Sequence, residues 1–494
     1  MHSESPAGLL SAADLLHRAH EALEREDLVR AAADFRQATL EVAAGPEAFV
    51  GLGRALLLQG SAEAALACAR DALSTQPDFV PAVALAVRSL IRLRQFDAAL
   101  TESRTAVRDL RPDAELLAAH ASALYRVQRN EEAAAVYRQV LEVDPWNEEA
   151  HVRLGSGLSA PRRIEVGPKL RAAVAAIHGG DDVNALRLLR DELADSPGHP
   201  VAHRLIGETL FRQRSQRSIL RHVEHFETAW RLSTPPPIAE SLEAEFVRGV
   251  RSLSPSRRAV VSRVLGTFGS RLPAILTKGG RHDLLLEEER TTDAPSRASL
   301  RGKRTFDGRV WDDVRGIGGL RAATGIEALD EAAEFGFDTF AHEVAHQVHL
   351  HALREDPTFA RIKELFVAAE REGRMLDYYA ASNWAEYFGQ GVEAFLSLVK
   401  RPTLEATHSH TRFELLRLDP ALHDLIAGLV DYDPLGAERS SSERDVLLTA
   451  SIEAALVFGR IDDVRTAAAL LGSAAAKRAA MARAQTVESI LLGR

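Results

Sequence analysis

The chain has one cysteine, Cys68, among its 494 residues. That excludes an intrachain disulfide and fits a reducing compartment. Cys68 sits in an Ala-rich helical pattern, where a small buried residue is expected rather than a nucleophile. There is no excess of positive charge: 61 Lys and Arg stand against 70 Asp and Glu, a net charge of −9. A dedicated nucleic-acid binder carries a basic footprint, so none is expected here. The local basic run at Arg212, Arg214, Arg217 and Arg221 reads as a solvated helix face. No stretch approaches 18 uninterrupted apolar residues, so no membrane span is expected. The first residues lack a basic segment followed by an apolar one, the mark of a secretory signal. The expected location is cytoplasmic.

The composition is that of an ordinary globular protein, 46% hydrophobic and 27% charged. At about 100–200 residues per domain, the length implies roughly two to four domains.

The first third repeats itself. Pro77, Pro112 and Pro145 each close a helix-turn-helix pattern, with spacings of 35 and 33 residues. Ala31, Phe35 and Ala38 set a small-aromatic-small pattern. The second-helix spacing returns at Ala65, Ala69 and Ala72, and at Ala133, Tyr137 and Val140. A period near 34 with such residues is the tetratricopeptide signature. Small residues let paired helices approach, and stacking buries a face that one repeat cannot bury alone. A weaker copy at Ala185, Leu189, Pro197, Leu205, Gly207 and Leu210 extends the array. The three prolines 235–237 end it, since none can continue a helix.

Beyond them the expected architecture is α+β. The runs LPAILTKG (272–279) and HDLLLEEE (282–289) read as strands. A glycine-rich piece with Gly316, Gly318 and Gly319 follows. Helical patterning returns from Asp338, and a polar break at 436–443 precedes a final Ala-rich helical segment. The expected domains are thus 1–232 for the repeat array, 238–436 for the α+β domain and 437–494 for the tail.

The chemistry sits at residues 342–346, His-Glu-Val-Ala-His. Asp338 is a plausible N-cap, and Phe337, Phe340, Val344 and Val348 supply apolar spacing. On a helix, His342 and His346 lie one turn apart on one face, where both imidazoles reach one zinc ion. Glu343 projects beside them as a general base for a metal-activated water. A catalytic zinc needs a third ligand and an open position. A third histidine six residues beyond the second is ruled out, because position 352 is Ala. His349 shares the stripe but points past the metal, as an exposed or supporting residue. His408 and His410, in a polar stretch, are expected to face solvent. Two carboxylates on the next aromatic-rich helical segment remain open as the third ligand, Glu386 and Glu393.

HEVAH together with YAASNWAEYF resembles the catalytic domain of the anthrax lethal factor-like zinc peptidases, a gluzincin group. Their third ligand lies in a segment of the form Tyr-x-x-x-Asn-x-x-Glu-[Phe/Tyr]-Phe. Here that segment holds Tyr379, Asn383, Glu386, Tyr387 and Phe388. The resemblance implies His342, His346 and Glu386 as zinc ligands, Glu343 as base, and Tyr379 as the hydroxyl that steadies the tetrahedral intermediate. FDGRVWDDVRGIGGL and TRFELLRLDPALHDLI are also similar to bacterial relatives of the group. The resemblance spans roughly residues 255–430 and implies a zincin-like fold and one zinc per chain. The implied activity is peptide hydrolysis on a peptide or protein substrate. One departure stands out. The group often has a carboxylate four residues after the ligand glutamate, and here that position is Gln390. The repeats are expected to offer a concave surface to a protein partner.

Overall fold

The computed structural model describes residues 11–41, 43, 45–158, 166–219, 223–401 and 409–492. Four helix pairs open the chain: Ala12–Glu24 with Leu28–Thr39, Gly45–Leu58 with Ala62–Thr75, Val80–Arg92 with Phe96–Asp109, and Ala114–Arg126 with Asn130–Val143. The second helices begin at residues 28, 62, 96 and 130, each 34 after the last. The turn inside each pair passes through one left-handed residue at the same repeat position: Glu26, Gly60, Arg94 and Gln128. Ala31, Phe35, Ala38, Ala65, Ala69, Ala72, Ala133, Tyr137 and Val140 are all buried. Ring burial of the Phe35 and Tyr137 kind contributes about 1.5–3 kcal/mol per side chain. The chain is therefore a helical-repeat protein of tetratricopeptide type over this stretch. Helices Glu148–Gly155, Pro168–His178, Asp182–Asp195, Pro200–Ile219 and Val223–Ser233 continue it, and the last stops before the three prolines.

A small mixed sheet follows, in the order β1-β2-β4-β3. β1 is Val247–Arg248, β2 Arg281–Leu285, β3 Gly316–Ile317 and β4 Arg321–Gly325. β1, β2 and β4 run parallel, with His282 between Val247 and Ala322. β3 is antiparallel to β4 and forms one edge, with Ile317 opposite Ala323. The run 272–279 is not a strand. Leu272–Thr277 is a helix with proline in its first turn, where the fixed φ suits a helix. It buries Leu272 and Ile275, three residues apart. The run 282–289 is extended only to Leu285, after which Leu286 turns out to solvent.

The sheet shares one core with the helices Pro255–Thr267, Thr339–Gln347 and Trp384–Leu396, through Val260, Val264, Leu284, Phe340, Val344, Phe388 and Val392. The C-terminal helices Ser441–Val457, Ile461–Leu470 and Ala474–Leu492 belong to a different core. Leu447, Ala454 and Val464 join Leu52, Ala65 and Ala69 of the first repeats. Phe226 stacks on both Phe335 and Phe458, tying the end of the array to both neighbours.

The array sits on the second half by the edge that carries its turns. Glu26 pairs with Arg401 at 3.0 Å. Phe96 meets the Tyr378 ring edge-on at 5.9 Å. Tyr125 and Asn130 both donate to Asp307, at 3.2 and 3.1 Å. The Val310 amide donates to the Gly157 carbonyl at 2.8 Å. No residue from Val80 to Arg92 is exposed, and every residue from Leu116 to Tyr125 is buried. The first helices of the third and fourth pairs are thus enclosed by the chain itself. The open surface of these repeats belongs to their second helices.

Candidate metal centre

Two helices meet at the centre. The first, Thr339–Gln347, starts where the Asp338 side chain accepts from the Ala341 amide at 2.8 Å. That capping bond satisfies one of the free amides of the first turn. At its far end Gln347 accepts from His282 at 3.0 Å and donates to the Arg281 carbonyl at 3.1 Å. Burial holds the His282 ring neutral, with its pKa lowered to about 4, so it donates to Gln347 and accepts from Thr324. The helix is thereby pinned to β2 directly after His346.

The second helix, Trp384–Leu396, begins at Asn383, whose side chain accepts from the amides of Ala385 and Glu386 at 2.9 and 3.1 Å. The asparagine of the Asn-x-x-Glu segment therefore caps the helix at the turn that carries Glu386. Seven residues on, Glu393 reaches back to the other helix and accepts from the Asp338 amide at 2.9 Å. Lys400 neutralises it, donating to Glu393 and, at 2.6 Å, to the Gly336 carbonyl. Glu393 and Lys400 are 0% and 1% exposed. Glu393, the other open carboxylate, is therefore a brace between the helices.

The helices bring His342, His346 and Glu386 together. His342 Nε2 lies 3.0 Å from Glu386 Oε2 and 3.0 Å from His346 Nε2. The third side, His346 Nε2 to Glu386 Oε2, is 3.3 Å. Zinc bonds of roughly 2.0–2.2 Å place tetrahedral ligand atoms about 3.4 Å apart. The triangle is close to that size, and its atoms are two imidazole nitrogens and a carboxylate oxygen. This donor set fits zinc.

The electrostatics agree. Burial opposes a charge on His342, yet the hydrogen bond and charge of Glu386, with Glu343 and Glu393 behind, raise its pKa to about 9. Burial likewise opposes ionised Glu386, but its bonds to His342 and His346 hold it well below the usual carboxylate range. Glu343 lies beside them, its pKa raised by burial and partly offset by the two histidines. Its Oε2 is buried without a hydrogen-bond partner among the described residues. Carboxylates thus dominate the surroundings of His342 and outweigh the cost of burying its charge.

Two glycines make the close approach feasible. A Cβ on Gly389 would stand 2.8 Å from His342 Cε1, and one on Gly318 2.8 Å from His346 Cβ. Gly318 belongs to the glycine-rich piece visible in the sequence. Gly389 carried no signal there. Gln390 is fully buried, and among the described residues neither His342 Nδ1 nor His346 Nδ1 has a hydrogen-bond partner. The carboxylate that commonly orients a ligating histidine is therefore missing on both.

Tyr379 packs near His342. Its ring centroid is 6.3 Å from that of His342. Burial, then Glu386, lifts its hydroxyl well above the ordinary pKa, so it remains a donor at neutral pH. Tyr378 is held from the array, by a hydrogen bond from Arg126 and by the Arg126 guanidinium 4.9 Å over its ring.

Two histidine expectations need correction. His349 is neither exposed nor bonded to a ligand. One π-helical turn, Val348–Ala352, carries it into an aromatic box of Trp384, Phe388 and Phe359, where burial lowers its pKa to about 3. His410 does not face solvent but is buried between Asp377 and Glu414 at 3.2 and 3.1 Å. His408 lies outside the described residues. Asp377 also accepts from the Ala380 amide at 2.7 Å, so His410 helps pin the turn carrying Tyr379. Burial works against its charge, but Glu414 and Asp377 raise its pKa to about 10. The ordinary histidine value is 6.5. The stabilisation is therefore full below that value and lost as pH rises through about 10. His410→Gln is expected to lower the midpoint of urea unfolding at pH 6 and 7, with the gap to the parent closing toward pH 10. A pH-independent gap disproves the charge assignment.

No protein-family model and no curated protein matches the sequence. Several solved helical-repeat structures do. One is a thermophilic tetratricopeptide protein of Thermus thermophilus, 19% identical, covering 41% of this chain and 100% of its own, with a TM-score of 0.28. Another is YrrB, described as a tetratricopeptide protein with an unusual peptide-binding site, 21% identical over 39% of this chain and 90% of its own, TM-score 0.24. Yeast Tom70 aligns over 97% of this chain and 95% of its own at 12% identity and a TM-score of 0.23. At these scores the superpositions carry no functional weight. Among the described residues, no helix is long and apolar enough to cross a membrane.

Proposed function

We propose that the chain is a zinc-dependent metallopeptidase, as its resemblance to the lethal factor-like group implies, with His342, His346 and Glu386 holding the metal. One observation carries the reading: three ligand atoms from two helices, far apart in sequence, converge into a triangle of 3.0–3.3 Å. Zinc held by His342, His346 and Glu386 would supply an acidified water and a Lewis acid for the scissile carbonyl. Glu343 takes the proton of the attacking water and returns it to the leaving amine. The Tyr379 hydroxyl donates to the oxyanion that develops on the scissile carbonyl, usually the largest catalytic contribution. β3, an edge strand whose Gly316 abuts Glu343, offers backbone groups to an extended peptide. A protein partner would meet the outer helices of the array. The buried Cys68 suits a cytoplasmic setting.

The test is metal content by mass spectrometry on the purified full chain. About one zinc per chain is expected for the parent. Glu386→Ala is expected to lose it. Stoichiometric zinc in that variant, or none in the parent after supplementation, sinks the reading. A second reading, an interaction scaffold with a low-activity or inactive zinc-peptidase-like domain, is favoured by the Nδ1 atoms of both histidines, which have no hydrogen-bond partner among the described residues. Zinc without hydrolysis of any peptide pool would select it.

A further inference from the structure

The loop 304–310 is closed on itself by a bridge between Arg304 and Val310. It is also fastened to the array. The Asp307 carboxylate accepts from Tyr125 at 3.2 Å, its carbonyl accepts from Asn130 at 3.1 Å, and Arg304 pairs with Glu131 at 2.9 Å. Arg309 is tied to Asp307 at 2.7 Å within the loop. At its tip stands Phe306, a large apolar side chain 48% exposed. Its ring centroid is only 5.2 Å from that of Tyr379, which is itself 6.3 Å from that of His342. Exposing such a ring gives away burial free energy unless another group covers it. The flanking residues, Thr305 and Asp307, are polar. The loop is held in place by its polar contacts with the fourth repeat.

We infer that the loop 304–310, braced by the repeat array, builds one wall of the substrate cleft and presents Phe306 as the contact for a large apolar substrate side chain next to the scissile bond. The inference rests on the metallopeptidase reading. Tyr379 contacts the reacting carbonyl in that reading, so a ring packed on Tyr379 flanks the residue beside it. Phe306 is then a specificity residue, and Tyr125 and Asn130 are positioning residues that act through Asp307. The array would contribute to peptide choice from the end of the fourth pair where its two helices meet, through Tyr125 at the close of the first helix and Asn130 at the start of the second.

The test compares binding of two peptidyl hydroxamates to the zinc-loaded full chain, one with a leucyl side chain and one with glycine. A hydroxamate reports the metal and the cleft without any turnover. The parent is expected to prefer the leucyl compound by about 10-fold or more, the usual range for one apolar side chain in a pocket. Phe306→Ala is expected to abolish that preference while keeping zinc content and glycyl affinity. Asn130→Ala, which loosens the loop from the array, is expected to reduce the preference in the same direction. Undiminished preference in Phe306→Ala overturns the inference and leaves the metal site standing. A parent chain with neither zinc nor hydroxamate binding overturns the metal reading, and the inference with it.

Discussion

On the proposed metallopeptidase reading, Glu343→Gln is expected to keep zinc and lose turnover by about 10²–10⁴-fold, the usual worth of a positioned proton acceptor. The substitution preserves shape, and Glu343 is not one of the three converging ligands. What it removes is the carboxylate that can take a proton. In the parent that carboxylate is buried and its pKa is raised by burial. The measurement is kcat on a fluorogenic peptide pool beside zinc content by mass spectrometry. Equal kcat with equal zinc removes Glu343 from the mechanism. Equal loss of both assigns it to the metal site instead.

Lys400→Met should destabilise the chain by about 3–5 kcal/mol, the cost of leaving one charge of a buried pair alone. Methionine keeps most of the apolar stem, so lost packing is a small part. The stranded group is Glu393, fully buried, whose oxygen also holds the Asp338 amide at 2.9 Å. Asp338 caps the helix bearing His342 and His346, so the damage should spread to the metal. Zinc affinity is expected to fall along with the urea midpoint. The double variant Lys400→Met/Glu393→Gln should recover part of the loss, because it removes the unpaired charge. A single variant within about 1 kcal/mol of the parent shows that the pair does not brace the two helices.

Much of this molecule was legible from residues alone. The 34-residue interval, the stop at the three prolines, the Asp338 cap and the pairing of His342 with His346 all follow from spacing. They are local: a helix places residues four apart on one face whatever surrounds it. The strand reading of 272–279 failed for the converse reason. A short apolar run fits strand and helix alike, and Pro273 in a first turn tips it to helix. Likewise His410 in a polar stretch looks solvated until Asp377 and Glu414, from two other segments, close around it.

The choice between Glu386 and Glu393 shows where spacing stops. Both lie on one helix seven residues apart, close to two turns, and composition does not rank them. Tertiary packing separates them: the capped first turn brings Glu386 to the imidazoles, while Glu393 meets an amide and a lysine. The same holds for Gly389, unremarkable in sequence and flush against both histidines in space. It holds for the array as well, whose turns grip the loop beside Tyr379. The periodic helices and the histidine pair were set by the residue order alone, because they depend on neighbours along the chain. The resemblance pointed to Glu386, but what holds it beside the histidines, and which surface the repeats keep open, depends on contacts between segments that no local pattern encodes.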